Sequence, residues 1–270
     1  MITAVREPAV AGYFYPRSPE ALSREISGYT AQAGEKLSAL ACVVPHAGYM
    51  YSGHVAGAVY GRLQLPRRFV ILCPNHTGYG RPLAVMTEGA WQTPLGLAQI
   101  DHALASSLRL ACPRLEEDHM AHRGEHAIEV QLPFLQAALS DFTFVPIAIG
   151  TAKYEPLQAL GEAMAGVLRD QSDKVMLISS SDMNHYEPDD VTRVKDRKAI
   201  DQILALDPRG LYDVVMQESI SMCGFGPTVA ALTAARLLGA KSAEVIKYAT
   251  SADISGDRSA VVGYAGVVIR

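Results

Sequence analysis

The chain has 270 residues, 49% apolar and 19% charged, with 24 basic against 28 acidic side chains. That apolar fraction can build a large core and excludes global disorder, which needs low hydrophobicity and high net charge. A net charge of −4 gives no electrostatic case for nucleic acid or for an anionic membrane surface.

Residues 1–8 carry Arg6 and Glu7 and lack an apolar stretch, so no secretory signal is expected there. The longest apolar run, 261–269, is about half a membrane span, so no membrane insertion is expected. Cys42, Cys73, Cys112 and Cys223 lie far apart without a Cys-x-x-Cys pair. That spacing excludes zinc ribbons and predicts a reduced, cytoplasmic setting.

In chain order, Ser18 caps a helix over 19–33 with Pro19 in its first turn. A strand over 39–44 and a helix over 53–63 follow, then strands over 69–73 and 83–86 and a helix over 101–110. A helix is expected over 125–139, where Pro133 either kinks it or marks its true start. Next come a strand over 142–149, a helix over 155–169, a strand over 175–178 and a helix over 189–205. The last helix, 227–238, ends at Gly239 as its cap, and strands over 245–249 and 260–269 close the chain. No repeat or linker divides the pattern. Alternating strands and helices predict one α/β domain over 1–270, with a mostly parallel central sheet and helices on both faces. The run 83–86 and the last two strands are candidates for antiparallel additions.

In open α/β sheets, ligands bind beyond the carboxyl ends of the strands. Three expected strands lead there into histidine-bearing loops: Pro45-His46-Ala47-Gly48-Tyr49, Pro74-Asn75-His76-Thr77-Gly78, and Ser179-Ser180-Ser181-Asp182-Met183-Asn184-His185. If these strands are neighbours, the imidazoles converge on one edge. Imidazole is the commonest side-chain metal ligand and acid/base group near neutral pH. A hydrogen-bonded loop histidine explains any one of them, but less readily three in one topological place.

A fourth element, Ser221-Met222-Cys223-Gly224-Phe225-Gly226-Pro227, precedes a helix. The dipole there is expected to lower the Cys223 pKa, making it a nucleophile or a metal ligand. Gly224 and Gly226 would let the backbone approach a ligand. Cys42 and Cys73 read as inert strand residues, and Cys112 as structural or exposed. His119, His122 and His126 have helical spacing, but Gly124 interrupts it. A loop is expected there, with His126 and Glu129 backing the main site and His119 and His122 outside it. Tyr49 and Trp91 read equally well as pocket lining or core. Tyr13 and Tyr15 are expected to be architectural, with one hydroxyl hydrogen-bonded.

These motifs, together with Ala11-Gly12-Tyr13-Phe14-Tyr15-Pro16, Tyr51-Ser52-Gly53, Trp91-Gln92-Thr93-Pro94-Leu95-Gly96, Glu125-His126 through Gln131-Leu132-Pro133, and Ser259-Ala260-Val261-Val262-Gly263-Tyr264-Ala265, resemble in their order the Memo family. That family is named for the mediator of ErbB2-driven cell motility, and its prokaryotic members are called AmmeMemoRadiSam system protein B. The resemblance covers essentially the whole chain. It implies a fold similar to class III extradiol dioxygenases, in which two histidines and a glutamate hold Fe(II) and a further histidine acts as acid/base. By the matching motifs it implies His46 and His76 as metal ligands and Cys223 in the third ligand position. It implies His185 as the acid/base group, with Asp182 nearby. A thiolate in place of the carboxylate keeps the charge but softens the site, so copper and zinc compete better, and the thiolate can itself be oxidised. The resemblance thus implies iron(II) as cofactor, with copper as the alternative. It also implies radical-SAM and AMMECR-type protein partners.

Three functions stay open on these residues. The first is a redox-active, oxidoreductase-like metal protein, with His46, His76 and Cys223 as ligands and His185, oriented by Asp182, moving protons. The second is a non-enzymatic module that binds a peptide or partner in the same cleft. The third is a metal-free cysteine hydrolase with Cys223 as nucleophile, His185 as base and Asp182 as orienter; it leaves His46 and His76 without roles. The first requires His46, His76, His185 and Cys223 to meet at the carboxyl edge of one sheet, with their ligating atoms within roughly 3–5 Å of a common point.

Overall fold

A computed structural model describes residues 4–31 and 34–270. Twelve strands form its mixed sheet. They are β1 (Val5–Arg6), β2 (Ala41–Val44), β3 (Arg68–Pro74), β4 (Leu83–Val85), β5 (Ala90–Thr93), β6 (Gly96–Ile100), β7 (Glu116–Glu117), β8 (Thr143–Ile149), β9 (Val175–Ser180), β10 (His185–Glu187), β11 (Ala243–Thr250) and β12 (Val261–Ile269). The main order is β1-β5-β6-β8-β3-β9-β2-β12-β10. From β6 through β2 every neighbour is parallel. The strands β4, β11 and β12 are antiparallel additions, on β8, β12 and β2 respectively.

The central strands are buried on both faces, as continuous Val/Ile-rich runs require. Their alternate residues feed two cores. Ala41, Val43, Val70, Leu72 and Leu177 pack with the helices Tyr154–Arg169, Asp189–Leu204, Pro208–Gln217 and Phe225–Leu237. Cys42, Val44, Phe69, Ile71, Cys73 and Ile178 pack with Pro19–Thr30, Tyr49–Arg62 and Leu132–Ala138. The result is a single α/β domain with helices on both faces of a mostly parallel sheet. Among the described residues, no helix is long and apolar enough to cross a membrane.

Several elements differ from the sequence reading. The first helix stops at Thr30; the expected continuation to Ala33 runs into residues 32 and 33, which lie outside the described residues. The second helix starts at Tyr49 rather than at residue 53, directly after the His46 loop. The stretch 125–139 divides into a 3₁₀ turn, Glu129–Gln131, and the helix Leu132–Ala138, so Pro133 sits in the first turn of the true helix. The helix Pro208–Gln217 was unanticipated, although Asp207 caps it by accepting from the Arg209 and Gly210 amides. The β5–β6 hairpin was also missed; it turns at Gly96, whose φ of +119° suits glycine. Gly239, at φ +97°, ends its helix as expected. Cys42 and Cys73 lie in strand cores, and Cys112 is buried rather than exposed.

Candidate metal centre

The order β3-β9-β2 puts three parallel strands side by side, so their carboxyl ends present the three histidine loops together. His46 follows β2, His76 follows β3 and His185 opens β10 just beyond β9. The start of the helix Phe225–Leu237 closes the group, with Cys223 just before its cap, Gly224. A side chain on Gly224 would run into the Ser180 carbonyl and the Ser181 side chain. Glycine there lets the Cys223 turn lie flat on the end of β9.

The ligating atoms of His46, His76 and Cys223 lie within 4.8 Å of one another. Cys223 Sγ is 3.2 Å from His46 Nε2. Atoms sharing one ion at bonds of about 2.0–2.3 Å sit roughly 3–4 Å apart, so a small closure completes a three-ligand site. The donor set, two imidazoles and one thiol, suits a borderline-soft transition metal.

Hydrogen bonds behind the imidazoles decide which nitrogen faces the cleft. His76 Nδ1 is 2.9 Å from Glu125 Oε1. A carboxylate only accepts, so Nδ1 carries a proton, and in the neutral ring Nε2 is the nitrogen left with a lone pair. His185 Nδ1 likewise donates to the Ser221 carbonyl at 2.8 Å. His46 Nδ1 meets Ser180 Oγ at 3.0 Å. Burial, aided by the neighbouring His76, pushes the His46 pKa down to about 3 and keeps the ring neutral. Burial also opposes charge on His76, but the Glu125 hydrogen bond and charge outweigh it and hold its pKa above the ordinary value. Burial would raise Glu125; the hydrogen bond and charge of His76 instead draw it down to about 2.

His126 stacks on His76, with ring centroids 4.8 Å apart and planes 20° from parallel. It lines the cleft, and its pKa falls to about 4 through burial and the neighbouring His46. His76, Glu125 and His126 form a second group with ligand spacing. There, however, Glu125 already accepts from the amides of His76, His126 and Ala127 and from His76 Nδ1. Its Oε1 takes three of these donors and its Oε2 the fourth, so His46, His76 and Cys223 make the better donor set. The cleft around them has a volume of about 600 Å³ and is lined by the apolar Phe14, Tyr186 and Val262 as well as by Asp182 and His185.

Four expectations need correction. Asp182 does not hydrogen-bond His185: its Oδ1 accepts the His46 amide at 2.7 Å, while Ser221 orients His185. Burial, followed by the Asp182 carboxylate, pushes the Cys223 thiol well above its usual range, against the lowering expected from the helix dipole. The imidazole on Cys223 is His46 rather than His185, so the hydrolase arrangement is not formed. Glu129 does not line the cleft; it binds Arg6 at 2.6 Å, Tyr15 Oη at 2.7 Å and the Ala9 and Val10 amides.

His119 is exposed beside Glu117, and His122 is fully buried against Trp91; both lie outside the cleft, as expected. Trp91 and Tyr49 are core residues. The Arg6 guanidinium covers Trp91 at 4.1 Å, and Tyr49 Oη donates to the Val130 carbonyl. Sequence reasoning missed Glu125, Ser180 and Gln131. The available signal was their position, Glu125 beside a cleft histidine and Ser180 at the end of β9.

A sequence profile described as Memo-like protein matches residues 6–268. A MEMO1 family protein of Methanopyrus kandleri is 44% identical over 279 residues, spanning 98% of this chain and 99% of its own. One from Methanothermobacter thermautotrophicus is 41% identical, spanning 97% and 99%. One from Archaeoglobus fulgidus is 43% identical, spanning 98% and 100%. Among solved structures, the uncharacterized protein JW3007 of Escherichia coli K12 aligns with a TM-score of 0.58 at 16% identity. That alignment covers 84% of this chain and 98% of the other, and supports the fold alone. The chain belongs to the Memo-like protein family.

Proposed function

We propose that the cleft is a redox-active metal centre in which His46, His76 and Cys223 hold iron(II), or copper, for chemistry on a small molecule. The observation that carries this reading is the convergence of the three ligating atoms with the Nδ1 of both imidazoles tied to an acceptor behind them. Such outer partners are what metal-ligating histidines require. A bound ion would supply one-electron redox chemistry and an electrophilic position beside the cleft. His185 accepts a proton at Nε2, because its Nδ1 proton is held by the Ser221 carbonyl. Asp182, whose pKa burial raises, is a second proton carrier; its Oδ2 lies 4.0 Å from His46 Nε2. Phe14, Tyr186 and Val262 add apolar lining to the cleft, and a volume of about 600 Å³ suits a small ligand.

The test is metal content after anaerobic loading of untagged protein, for wild type, His76→Ala and Cys223→Ala. Stoichiometric metal in wild type with strong loss in both variants is expected. Equal metal in all three folded proteins would overturn the reading and leave a metal-independent binding cleft. Oxygen uptake by the loaded protein with catechol-type compounds then tests turnover.

A further inference from the structure

The segment 125–131 supplies partners for both histidines of the proposed centre. Its first residue, Glu125, holds His76 directly. Its other end reaches His46 through Ser180, and counting hydrogens there gives one answer. Gln131 Nε2 donates to the Pro45 carbonyl at 2.9 Å and to Ser180 Oγ at 2.9 Å. A carbonyl only accepts, so the Pro45 contact fixes which end of the Gln131 amide is nitrogen. Its Oε1 then accepts from Tyr60 Oη at 3.0 Å. The single Ser180 hydroxyl hydrogen goes to the Ala127 carbonyl, at 2.7 Å. Ser180 Oγ is left only acceptor capacity toward His46 Nδ1 at 3.0 Å, so His46 must donate. Gln131 and Ser180 are fully buried, where an unmade bond is expensive and the network is held to this one pattern.

We propose that Gln131 and Ser180 are positioning residues that lock His46 in its Nδ1–H tautomer, keeping the Nε2 lone pair on the cleft side beside Cys223. The proposal rests on the metal-centre reading only for its consequence, since the tautomer exists without metal. Glu125 and Gln131 thereby act as two arms of one short segment. The arrangement also gives a role to the sequence motif that runs from Glu125-His126 to Gln131-Leu132-Pro133.

Two readouts test it on the full chain. The first is long-range ¹H–¹⁵N correlation on ¹⁵N-histidine protein without metal, with His46→Gln to assign the signals. Wild type is expected to show His46 as Nδ1–H alone. Folded Ser180→Ala and Gln131→Met are expected to show mixed tautomers, and Ser180→Thr, which keeps the hydroxyl, to restore one. The second is cobalt(II) affinity by chelator competition, with the thiolate-to-cobalt absorption as signal. Ser180→Ala is expected to weaken binding about 10–100-fold, with Ser180→Thr near wild type. An unchanged single Nδ1–H tautomer in either disrupted variant, or an Nε2–H tautomer in wild type, would overturn the proposal. Should wild type bind no cobalt, the metal-centre reading fails, and the tautomer measurement still decides this one. Should Ser180→Ala not fold, Gln131→Met decides.

Discussion

His76 and Glu125 are joined twice: the same carboxylate accepts the histidine's backbone amide at 2.6 Å and its Nδ1 at 2.9 Å. Ring and backbone are therefore fixed together, and the loop after β3 cannot rotate without breaking both bonds. Glu125→Gln tests this. A carboxamide has one acceptor oxygen, while four N–H groups converge on the carboxylate. At least one buried donor would then face the new NH₂, a loss of about 1–3 kcal/mol. Urea unfolding should show that loss, and metal affinity should fall about 10–100-fold. The pH dependence follows from the sign of the shift. Glu125 is depressed to about 2, so its contribution is present above the unfolded carboxyl value of about 4.3 and fades as pH falls toward 2. Glu125→Gln should lack that part of the acid limb.

The stability of the metal-free protein should fall below about pH 6.5 for a second reason. His122 is fully buried with both ring nitrogens unpartnered among the described residues. Burial, then the charge of Arg6, drives its pKa down to about 3. At pH 5 the folded ring stays neutral while the unfolded ring is protonated. Folding is then less favourable by about 2 kcal/mol than at pH 8, a value set by the unfolded imidazole alone. His122→Phe keeps an aromatic ring against Trp91 and cannot titrate. Its unfolding free energy should decline less between pH 8 and pH 5, by about that amount. Parallel curves for the two proteins would show that His122 is not held neutral.

The central sheet was legible because parallel strands buried on both faces leave continuous apolar runs, as in β3 and β9. The three histidine loops were legible because they directly follow those runs. Two kinds of feature were hidden. Short strands such as β1 and β7 are fixed by partners far away in sequence, Ala90 and Trp91 for the one and Ala84 and Val85 for the other, and carry no period of their own. The partners of the imidazoles depend on which buried acceptor reaches which ring. Sequence spacing pointed to Glu129 and Asp182, and only the folded geometry brings Glu125 and Ser221 to the rings.

The same geometry separates two neighbouring tyrosines. Tyr13 is 85% exposed, whereas Tyr15 is buried and donates to Glu129 at 2.7 Å, beside the buried Arg6–Glu129 pair. Tyr13→Phe should change stability by no more than about 0.5 kcal/mol. Tyr15→Phe should cost about 1.5–3 kcal/mol, because a bond to a buried charge is lost. Arg6→Ala should cost more, about 3–5 kcal/mol, since it leaves Glu129 charged and buried without its cation. Denaturation midpoints of the three variants test the order, and equal effects at positions 13 and 15 would contradict it.

Cys223 offers the sharpest test of the site, because each role for its sulfur predicts a different set of measurements. As a ligand 3.2 Å from His46 Nε2, it should be required for metal and dispensable for folding. Cys223 is only partly buried on a turn, so Cys223→Ala should cost little stability, about 1 kcal/mol, while metal affinity drops steeply. Cys223→Asp replaces the soft thiolate with a hard carboxylate. It should retain measurable iron(II) binding and lose preference for copper and zinc. Affinity should stay below wild type, because Asp182 is close enough to raise the thiol pKa and would repel a second carboxylate. If the sulfur were instead a nucleophile, chelators would leave activity intact and a thiol-directed electrophile would abolish it. If it only packed, Cys223→Ala and Cys223→Asp would load the same metals as wild type. Competition titrations with iron(II), copper and zinc across the three proteins distinguish these cases. A metal preference unchanged by Cys223→Asp would remove Cys223 from the site.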